Sequence, residues 1–366
     1  MMKGSRTASR PAQRTRQGQL EVIVAALAFA ASVPANKLLL AGTSPLALSG
    51  VLYLSAGVLC AVLVGIRDRA GGPAEHNKVA GAEWLWLAGA VLSGAVLAPL
   101  LLFLGLRQVS GHLAGLMLNF EAVFTVGLGV ALSGERLGRR GWLGALAVIA
   151  GAALLSLPEP ETAAASARWT GIAFVIGACA LWGLDNNLTQ RVSLRDARQV
   201  TAIKGLGGGA TSLLLAQAFG GLGAWDAPRL LAAIAVGAVS YGLSITLFVR
   251  GLRRLGVLQT GILFALAPGF AAVLCWTLLR EQIAAVGLAA LGAMTAGALL
   301  LVLDRHEHLH EHEATKHVHE HTHDEHHQHA HAPEQQTHAP HAHPHRHEPL
   351  RHGHGHAHDI HHRHRH

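Results

Sequence analysis

The sequence from Leu20 to Asp304 alternates long apolar runs with short polar breaks. Most of these runs are close to the roughly 20 residues that an α-helix needs to cross the hydrocarbon core of a bilayer. A soluble protein can bury one or two such runs, but a nearly continuous series is typical of an integral membrane protein. The pattern predicts ten transmembrane helices, at residues 20–41, 45–66, 84–105, 112–133, 141–157, 171–190, 200–220, 229–249, 256–279 and 283–303.

Polar segments flank this body on both sides. Residues 1–19 hold five Lys or Arg and no acidic residue, which predicts a disordered, basic cytoplasmic arm that could lie on anionic lipid. Residues 305–366 hold 25 of the 27 histidines of the chain and four of its prolines. A segment of this composition cannot bury a hydrophobic core, so we predict a disordered, His-rich cytoplasmic tail.

Basic residues between the runs predict the orientation. With the amino terminus inside, the arm and the inside loops hold 17 Lys or Arg, whereas the outside loops hold four. Because Lys and Arg accumulate in cytoplasmic loops, both termini are expected to be cytoplasmic. The predicted location is the inner (plasma) membrane of the cell, with the chain crossing it many times.

The two halves of the body resemble each other. Superposing residues 105–155 on residues 251–301 aligns GLRQ with GLRR and Glu135 with Glu281, and SVPANK aligns with WGLDNN so that Asn36 matches Asn186. Five helices per repeat is an odd number, so the second repeat would enter the membrane from the opposite side. We therefore predict an all-α integral membrane protein of two inverted five-helix repeats, at residues 20–157 and 170–304, joined by an outside linker at 158–169.

Polar side chains inside the apolar runs mark a candidate substrate cavity. The stretch ALWGLDNNLTQRV, from Ala180 to Val192, places an acid and two amides within a predicted span. A carboxylate in hydrocarbon costs about 2.5–3.5 kcal/mol on insertion scales, so it requires a partner, a water-filled cavity or a helix end. The candidate cavity residues are Asn36, Lys37, Glu121, Trp182, Asp185, Asn186, Asn187, Lys204, Tyr241 and Gln259.

The charged candidates have structural alternatives. Glu121 could line the cavity as a proton-linked or substrate-contacting carboxylate, or form a structural ion pair or hydrogen bond. Asp185 could contact substrate or tie down a neighbouring helix terminus. Lys37 and Lys204 could each extend to the membrane surface instead, and this alternative is slightly favoured for both.

The remaining candidates also have structural alternatives. Trp182, Tyr241 and Gln259 could form an aromatic and hydrogen-bonding wall, but Trp and Tyr also anchor membrane interfaces, which is the favoured role here. Asn186 is expected to have a geometric role because Asn36 is its counterpart. Glu281, like Glu135, ends a predicted span, which favours a loop salt bridge or a helix cap.

Five sequence motifs are spread over both repeats. The first repeat contains LNFEAVF at 118–124 and SGERLGRRGWLGALAVIAGAALL at 133–155, and the second contains ALWGLDNN, FALAPGF at 264–270 and LREQIAAVGLAALGAMTAGALLL at 279–301. These motifs resemble those of EamA-type transporters of the drug/metabolite transporter superfamily. That family often has a Glu-Pro pair in the fourth helix of each repeat, whereas here Ala122 follows Glu121 and Ala267 precedes Pro268. The resemblance implies a secondary transporter, often an exporter of metabolites, with a central cavity between its repeats.

Nucleotide-driven transport and catalysis are not indicated. The glycine cluster at 205–209 follows Lys204 and lacks the Lys-Ser/Thr of a phosphate-binding loop, so it predicts close helix packing. No paired nucleophile and base stands out, so we expect no enzymatic activity and no required cofactor. Transport would then use an ion or solute gradient, or the gradient of the substrate itself.

The tail carries the chemistry of a metal-binding segment. Neutral imidazoles one or two residues apart bind Ni²⁺, Zn²⁺, Co²⁺ or Cu²⁺, and the interspersed acids add oxygen ligands. A solvating tail that becomes positive at low pH is the alternative. The candidate ligands are His306, His308, His310, His312, His317, His319, His321, His323, His326, His327, His329 and His331.

Three functional hypotheses follow. The first is a carrier, expected to be an exporter, for a small organic metabolite, with the tail as an accessory metal buffer or sensor. The second is an exporter of a divalent transition metal whose tail collects the ion, and the third is a membrane-anchored metal buffer or sensor. The expected partners are the lipid bilayer and a small-molecule or ion substrate, without nucleic acid, and a homodimer is compatible with the sequence.

Overall fold

The computed structural model describes residues 9–69, 79, 81–133, 138–156, 165–192, 195–219, 221–264, 266–281, 285–302, 306–312, 316–321, 341–346 and 350–356. The chain divides into a body, Met1–Asp304, and a tail unit, Arg305–His366. Residues 1–8, 158–164, 323 and 326–331, which belong to the predicted arm, linker and metal ligands, lie outside the described residues.

Helices form the described body, and the first begins at Ser9, so the prediction of a disordered arm is wrong for residues 9–19. In the first half they are α1 Ser9–Leu39, α2 Pro45–Arg69, α3 Glu83–Ala90, α4 Ala98–Leu106, α5 Gly111–Met117, α6 Phe120–Ser133 and α7 Arg139–Ser156. In the second half they are α8 Ala165–Gln190, α9 Ala197–Phe219, α10 Ala227–Val236, α11 Ser244–Phe264, α12 Ala267–Leu279 and α13 Ala285–Val302.

Helix length and hydropathy bear out a multi-pass membrane protein. Among the described residues, six helical stretches are long and apolar enough to cross a bilayer: Arg16–Leu39, Pro45–Arg69, Glu83–Leu106, Gly111–Ala131, Arg168–Gln190 and Ala227–Gly251. Ala267–Leu279 and Ala285–Leu300 are shorter apolar helices. The count of ten spans and their inverted order stay a prediction.

The fourth predicted helix of each half is interrupted, which corrects the uninterrupted spans predicted at 112–133 and 256–279. The first break lies between α5 and α6, where the Asn119 amide donates to the Leu116 carbonyl at 2.9 Å and so competes with the helical ladder. The second lies between α11 and α12, where Pro268 lacks the N–H that would continue the helix. The first break places Glu121 in the first turn of α6.

Helical backbone hydrogen bonding continues through the predicted loop at 250–255, although the chain reverses direction there. Backbone hydrogen bonding stays helical from Ser244 to Phe264, because the arginine-rich loop is made of good helix formers without proline. A methyl group added at Gly251 would nevertheless lie 3.3 Å from Cγ2 of Thr260. Residues nine apart in a straight α-helix are about 13.5 Å apart, so the chain does reverse between them.

Two π-helical segments interrupt corresponding helices of the two halves. They are Val91–Leu97, between α3 and α4, and Gly237–Leu243, between α10 and α11. The second lies 146 residues after the first, which is the offset that aligns the two halves in the sequence. A π turn widens the helix and leaves carbonyl groups available to side chains, which is why such turns often occur at functional sites.

Close helix packing joins the two halves at α2 and α9. Gly205 contacts the backbone of Gly57, and a methyl group added at Gly205 would lie 2.5 Å from Cα of Gly57. Gly209 approaches Leu54 in the same way, at 2.4 Å from its backbone nitrogen. The predicted packing role of the glycine cluster is therefore confirmed, because only glycine allows two helix backbones to come this close.

Gly57→Val is expected to destabilise the protein by about 1–3 kcal/mol, because the added side chain must force α2 and α9 apart. The matched control is Gly65→Val on the same helix, where an added methyl group meets nothing within 4 Å. Thermal unfolding of both purified variants in detergent measures the difference. Equal losses of stability would show that helix propensity alone explains the effect.

The tail contains four strands, β1 His306–His312, β2 Lys316–His321, β3 His341–Arg346 and β4 Leu350–His356. β1 pairs with β4 and β2 pairs with β3, both antiparallel. The all-α prediction therefore applies to the body only, and the prediction of a disordered tail is wrong for these segments. The alternating His-x-His sequence has the period of two residues that is typical of a strand. The prediction of disorder rested on composition, which contains no information about this period.

Candidate functional site

A buried ion pair joins α8 to α9. Lys204 Nζ lies 2.6 Å from Asp185 Oδ1 and 2.7 Å from Oδ2, and the two side chains are 9% and 8% exposed. Thr189 donates a hydrogen bond to Asp185 Oδ1 at 2.9 Å and accepts one from Lys204 at 3.1 Å. We call these three residues the ion-pair cluster. The favoured prediction that Lys204 reaches the membrane surface is wrong, because a buried carboxylate one helix away supplies a stronger partner.

The ion-pair cluster lies directly against the first π segment. A methyl group added at Gly94 would lie 1.9 Å from Asp185 Oδ2, so only glycine leaves room for the carboxylate. The Gly94 carbonyl accepts hydrogen bonds from the Tyr53 hydroxyl at 2.9 Å and from Trp182 Nε1 at 3.0 Å. The widened helix thus connects α2 with α8 across the interface between the halves.

A second polar cluster lies at the contact between α6 and α8. Asn186 Nδ2 donates to Glu121 Oε1 at 2.9 Å and to Thr125 Oγ1 at 3.1 Å. Asn187 Nδ2 donates to the Thr125 carbonyl at 3.0 Å and to the Gly183 carbonyl at 2.8 Å. We call Glu121, Thr125 and Asn186 the amide cluster. Consecutive residues of α8 therefore serve both clusters, since Asp185 belongs to one and Asn186 to the other.

Asn36 and Asn186 each bond to the opposite half of the protein. Asn36 Nδ2 donates to the Tyr241 hydroxyl at 2.9 Å, as Asn186 donates to Glu121. The aligned asparagines therefore occupy comparable positions but have different partners. Asn36 Oδ1 is a buried acceptor with no hydrogen-bond partner among the described residues, which makes it available to a donor group of a ligand.

Trp182 and Tyr241 belong to a central aromatic group, and the favoured prediction that they anchor the membrane interface is wrong. Both are buried, and the ring of Phe29 lies 6.3 Å from that of Trp182 and 6.4 Å from that of Tyr241, between ring centroids. The rings of Tyr53 and Tyr241 are 5.1 Å apart. Each polar ring atom has an internal hydrogen-bond acceptor or donor, so the rings need no interfacial water.

Lys37 bonds to backbone carbonyl groups of the first half. Its ammonium group donates to the Leu106 carbonyl at 3.1 Å and to the Val109 carbonyl. The Leu106 carbonyl ends α4 and Val109 follows three residues later, so the cation complements both the unpaired carbonyl groups at this helix end and the helix dipole. Gln259 lies within α11, and its side chain lies outside the described residues.

Glu281 joins the halves at the end of the body where α4 meets α5. Its carboxylate accepts hydrogen bonds from the backbone N–H groups of Gly111 and His112, both at 2.8 Å, and lies 3.0 Å from His112 Nδ1. The predicted capping role is thus confirmed: a residue of the second half caps α5, a helix of the first half. Burial alone would raise the pKa of Glu281, but these hydrogen bonds lower it below the usual range of a glutamate.

Glu281→Gln is expected to lower the melting temperature at neutral pH, because an amide has one acceptor oxygen for two backbone donors. A carboxyl group with a lowered pKa stabilises the fold above its unfolded pKa of about 4.3, and the stabilisation is lost as the pH falls through its lower folded pKa. The difference in melting temperature between wild type and variant should be constant from about pH 7 to 5 and shrink below about 4.3. A difference that persists unchanged at lower pH contradicts this role.

Charged side chains join the halves at the other end, where α8 meets α9. Arg195 lies 2.6 Å from Glu83, and Arg67 pairs with Asp196. The sequence identified these arginines as topology signals and gave no indication of their partners. A third pair between the halves, Arg250 with Glu21 at 3.0 Å, involves α11 and α1.

Comparison with known proteins identifies the family. The sequence matches the model of the EamA-like transporter family twice, at residues 16–157 and 169–303. An uncharacterized transporter of Methanothermobacter thermautotrophicus is 28% identical over 276 residues, which cover 72% of this chain and 80% of that protein. A protein of known crystal structure shares the fold, with a TM-score of 0.59 at 19% identity over 78% of this chain and 96% of that one. This multi-pass membrane protein therefore belongs to the EamA-like transporter family, as its sequence motifs predicted.

Proposed function

We propose that this chain is a secondary transporter that exports a small organic metabolite across the inner (plasma) membrane, with both termini in the cytoplasm. The observation that carries the proposal is that the buried Asp185–Lys204 ion pair and the half-buried amide cluster meet at Asp185 and Asn186. Ionisable residues in the middle of membrane helices are costly, and they usually mark the path of a substrate or ion. Here they lie next to a broken helix and a π segment, the two irregular features that transporters use around their binding sites.

Contacts at the two ends of the body support an alternating-access mechanism. At the α4–α5 end the halves are joined through Glu281, and at the α8–α9 end they are joined through Arg67 and Arg195. Each of these contacts includes a side chain that is only partly buried, and ion pairs that water can reach contribute little and are broken easily. Opening one end while the other stays closed would expose the central clusters to one side of the membrane at a time.

The chemistry of the central clusters favours a metabolite over a metal ion as the substrate. The side chains that meet there offer an ammonium, two carboxylates, amides and hydroxyls, which suit the hydrogen-bonding groups of an organic molecule. Among the described residues, no group of three or more His, Cys, Asp or Glu side chains could hold a metal ion. The hypothesis of metal export would depend on the tail alone.

The proposal is tested with a strain that lacks the protein. Intracellular and extracellular metabolites and transition metals are measured in the deletion strain, in the strain with the full chain restored, and in a strain that carries residues 1–305 only. A metabolite that accumulates inside the deletion strain, and leaves cells that carry either form, supports metabolite export. A change in Ni²⁺, Co²⁺ or Zn²⁺ content without any change in metabolites overturns it. Metal export is then indicated if the body alone restores the content, and a metal buffer if restoration requires the tail.

A further inference from the structure

The contact between α6 and α8 has a counterpart between α12 and α1. The sequence offset that aligns the two halves matches α6 to α12, and α12 packs against α1 as α6 packs against α8. A methyl group added at Gly129 would lie 3.5 Å from Asn187 Oδ1, and the residues aligned with these two, Cys275 and Lys37, interact electrostatically. The first helix of each half therefore lies against the corresponding helix segment of the other half.

The partners of Asn186 have no polar counterpart in α12. Asn186 Nδ2 donates to Glu121 at 2.9 Å and to Thr125 at 3.1 Å. The alignment places Ala267 and Ala271 at these two positions, and both alanines are buried. Helix α12 thus has methyl groups, which neither donate nor accept hydrogen bonds, where α6 has a carboxyl and a hydroxyl group.

Asn36, the counterpart of Asn186, consequently has an amide that is only partly paired. Its Nδ2 donates to the Tyr241 hydroxyl at 2.9 Å, and its Oδ1 has no hydrogen-bond partner among the described residues. The side chain is 0% exposed, so bulk water does not reach it. A buried acceptor without a partner destabilises a folded protein, so this oxygen requires a donor from outside the protein.

A chain of contacts connects Asn36 to the ion-pair cluster. Tyr241, which accepts the hydrogen bond from Asn36, has its ring 5.1 Å from that of Tyr53, between centroids. The Tyr53 hydroxyl donates to the Gly94 carbonyl at 2.9 Å, and Gly94 lies directly against Asp185. Asn36 thus belongs to the same central region as the groups that carry the proposed function.

The surroundings of Asn36 indicate what kind of group binds there. The complement of an unpaired carbonyl oxygen is an N–H or O–H group. The rings of Phe29 and Tyr53 both lie against Tyr241, so the region next to this oxygen is aromatic. The part of the ligand that bears the donor is therefore expected to contact aromatic surface.

We propose that Asn36 is a specificity-determining contact with the transported metabolite, in which Oδ1 accepts a hydrogen bond from an N–H or O–H group of the substrate. Tyr241 positions the amide from its other side. Asn186, in contrast, has a structural role, because α6 occupies its donor groups. This inference rests on the proposed transport of an organic metabolite and adds the group by which the site selects it.

The test uses the metabolite that accumulates in the deletion strain and analogues in which one N–H or O–H group is replaced by a C–H or methyl group. Transport is measured with the full-length protein in proteoliposomes. For the wild type, loss of the group that bonds to Asn36 should raise the KM about tenfold, which corresponds to about 1.4 kcal/mol. Asn36→Leu should raise the KM for the metabolite by the same factor and should no longer distinguish the metabolite from that analogue, because either change removes the same hydrogen bond.

A merely structural role of Asn36 predicts a different result. Asn36→Leu would then lower the melting temperature and leave the preference among the analogues unchanged. The matched variant is Asn186→Leu, which should lower the melting temperature because Glu121 and Thr125 lose their donor, while whatever transport remains shows the wild-type preference. Asn36→Ala repeats the measurement with a smaller side chain if leucine prevents folding.

The outcomes separate this inference from the proposed function. If the wild type transports the metabolite and the Asn36 variants discriminate among the analogues as the wild type does, the role of Asn36 is wrong while metabolite transport stands. Coupling of Asn36 to an acceptor group of the substrate would likewise overturn the role of Oδ1. If the wild-type protein in proteoliposomes transports no accumulated metabolite, both proposals fail.

Discussion

Replacing Lys204 with methionine is expected to destabilise the folded protein by about 3–5 kcal/mol, because the Asp185 carboxylate would remain buried without its cation. Both Asp185 oxygens lie within 2.7 Å of the ammonium group, and Thr189 also bonds to this carboxylate. Methionine has a similar length and fills the same space, so the loss reports the charge more than the packing. The loss of stability is measured by thermal unfolding in detergent, with the fraction of protein that stays monodisperse as the signal.

The double variant Asp185→Asn with Lys204→Met separates the two contributions. Removing both charges leaves no uncompensated ion, so the double variant should recover most of the stability that the single variant loses. Lys37→Met is a matched control, since Lys37 donates to backbone carbonyl groups and leaves no buried carboxylate behind. Equal destabilisation of the single and double variants would contradict the electrostatic explanation.

Glu121→Gln is expected to reduce transport by about tenfold or more, equivalent to at least about 1.4 kcal/mol, and to remove its dependence on pH. Glutamine has the shape of glutamate and can still accept the hydrogen bond that Asn186 donates to Glu121 Oε1. The substitution therefore removes the charge and the exchangeable proton of the carboxyl group while it preserves the contact between α6 and α8. Uptake or efflux of the identified metabolite in proteoliposomes, measured over a range of internal and external pH, is the assay.

The control for this substitution is Glu281→Gln, the same chemical change at the α4–α5 end of the body. It should retain the pH dependence of transport, because Glu281 bonds to backbone amides away from the central clusters. Full activity of Glu121→Gln at every pH would exclude Glu121 from proton coupling. Lost transport with the pH dependence retained would assign to Glu121 a role in substrate contact instead.

The buried polar residues show how far sequence reasoning reaches. Asp185 stood out because a carboxylate within an apolar run requires a partner, and this requirement follows from the physics of hydrocarbon alone. Its partner could not be identified in the same way. Lys204 lies 19 positions later on another helix, and its distance from the predicted span end favoured the membrane surface. Only the packing of α8 against α9 brings the two side chains together.

The aromatic residues and Lys37 show the same limit. Trp and Tyr have both apolar and polar atoms, so composition cannot distinguish a ring at the membrane surface from a ring in the core. The hydrogen bonds between Trp182 and the Gly94 carbonyl and between Tyr241 and Asn36 show that these two rings lie in the core. Lys37 likewise contacts the end of α4, about 70 residues away in the sequence.

The sequence by itself determined the membrane class, the family and the internal likeness of the two halves, because these depend on local hydropathy and on residues compared one by one. It also indicated which buried groups require partners. The tertiary structure decided which partners they have, where the helices break or widen, and which histidines of the tail lie opposite one another. These features depend on contacts between residues far apart in the chain. The free energy of such a contact depends on both residues together, so the local sequence around either residue does not reveal it.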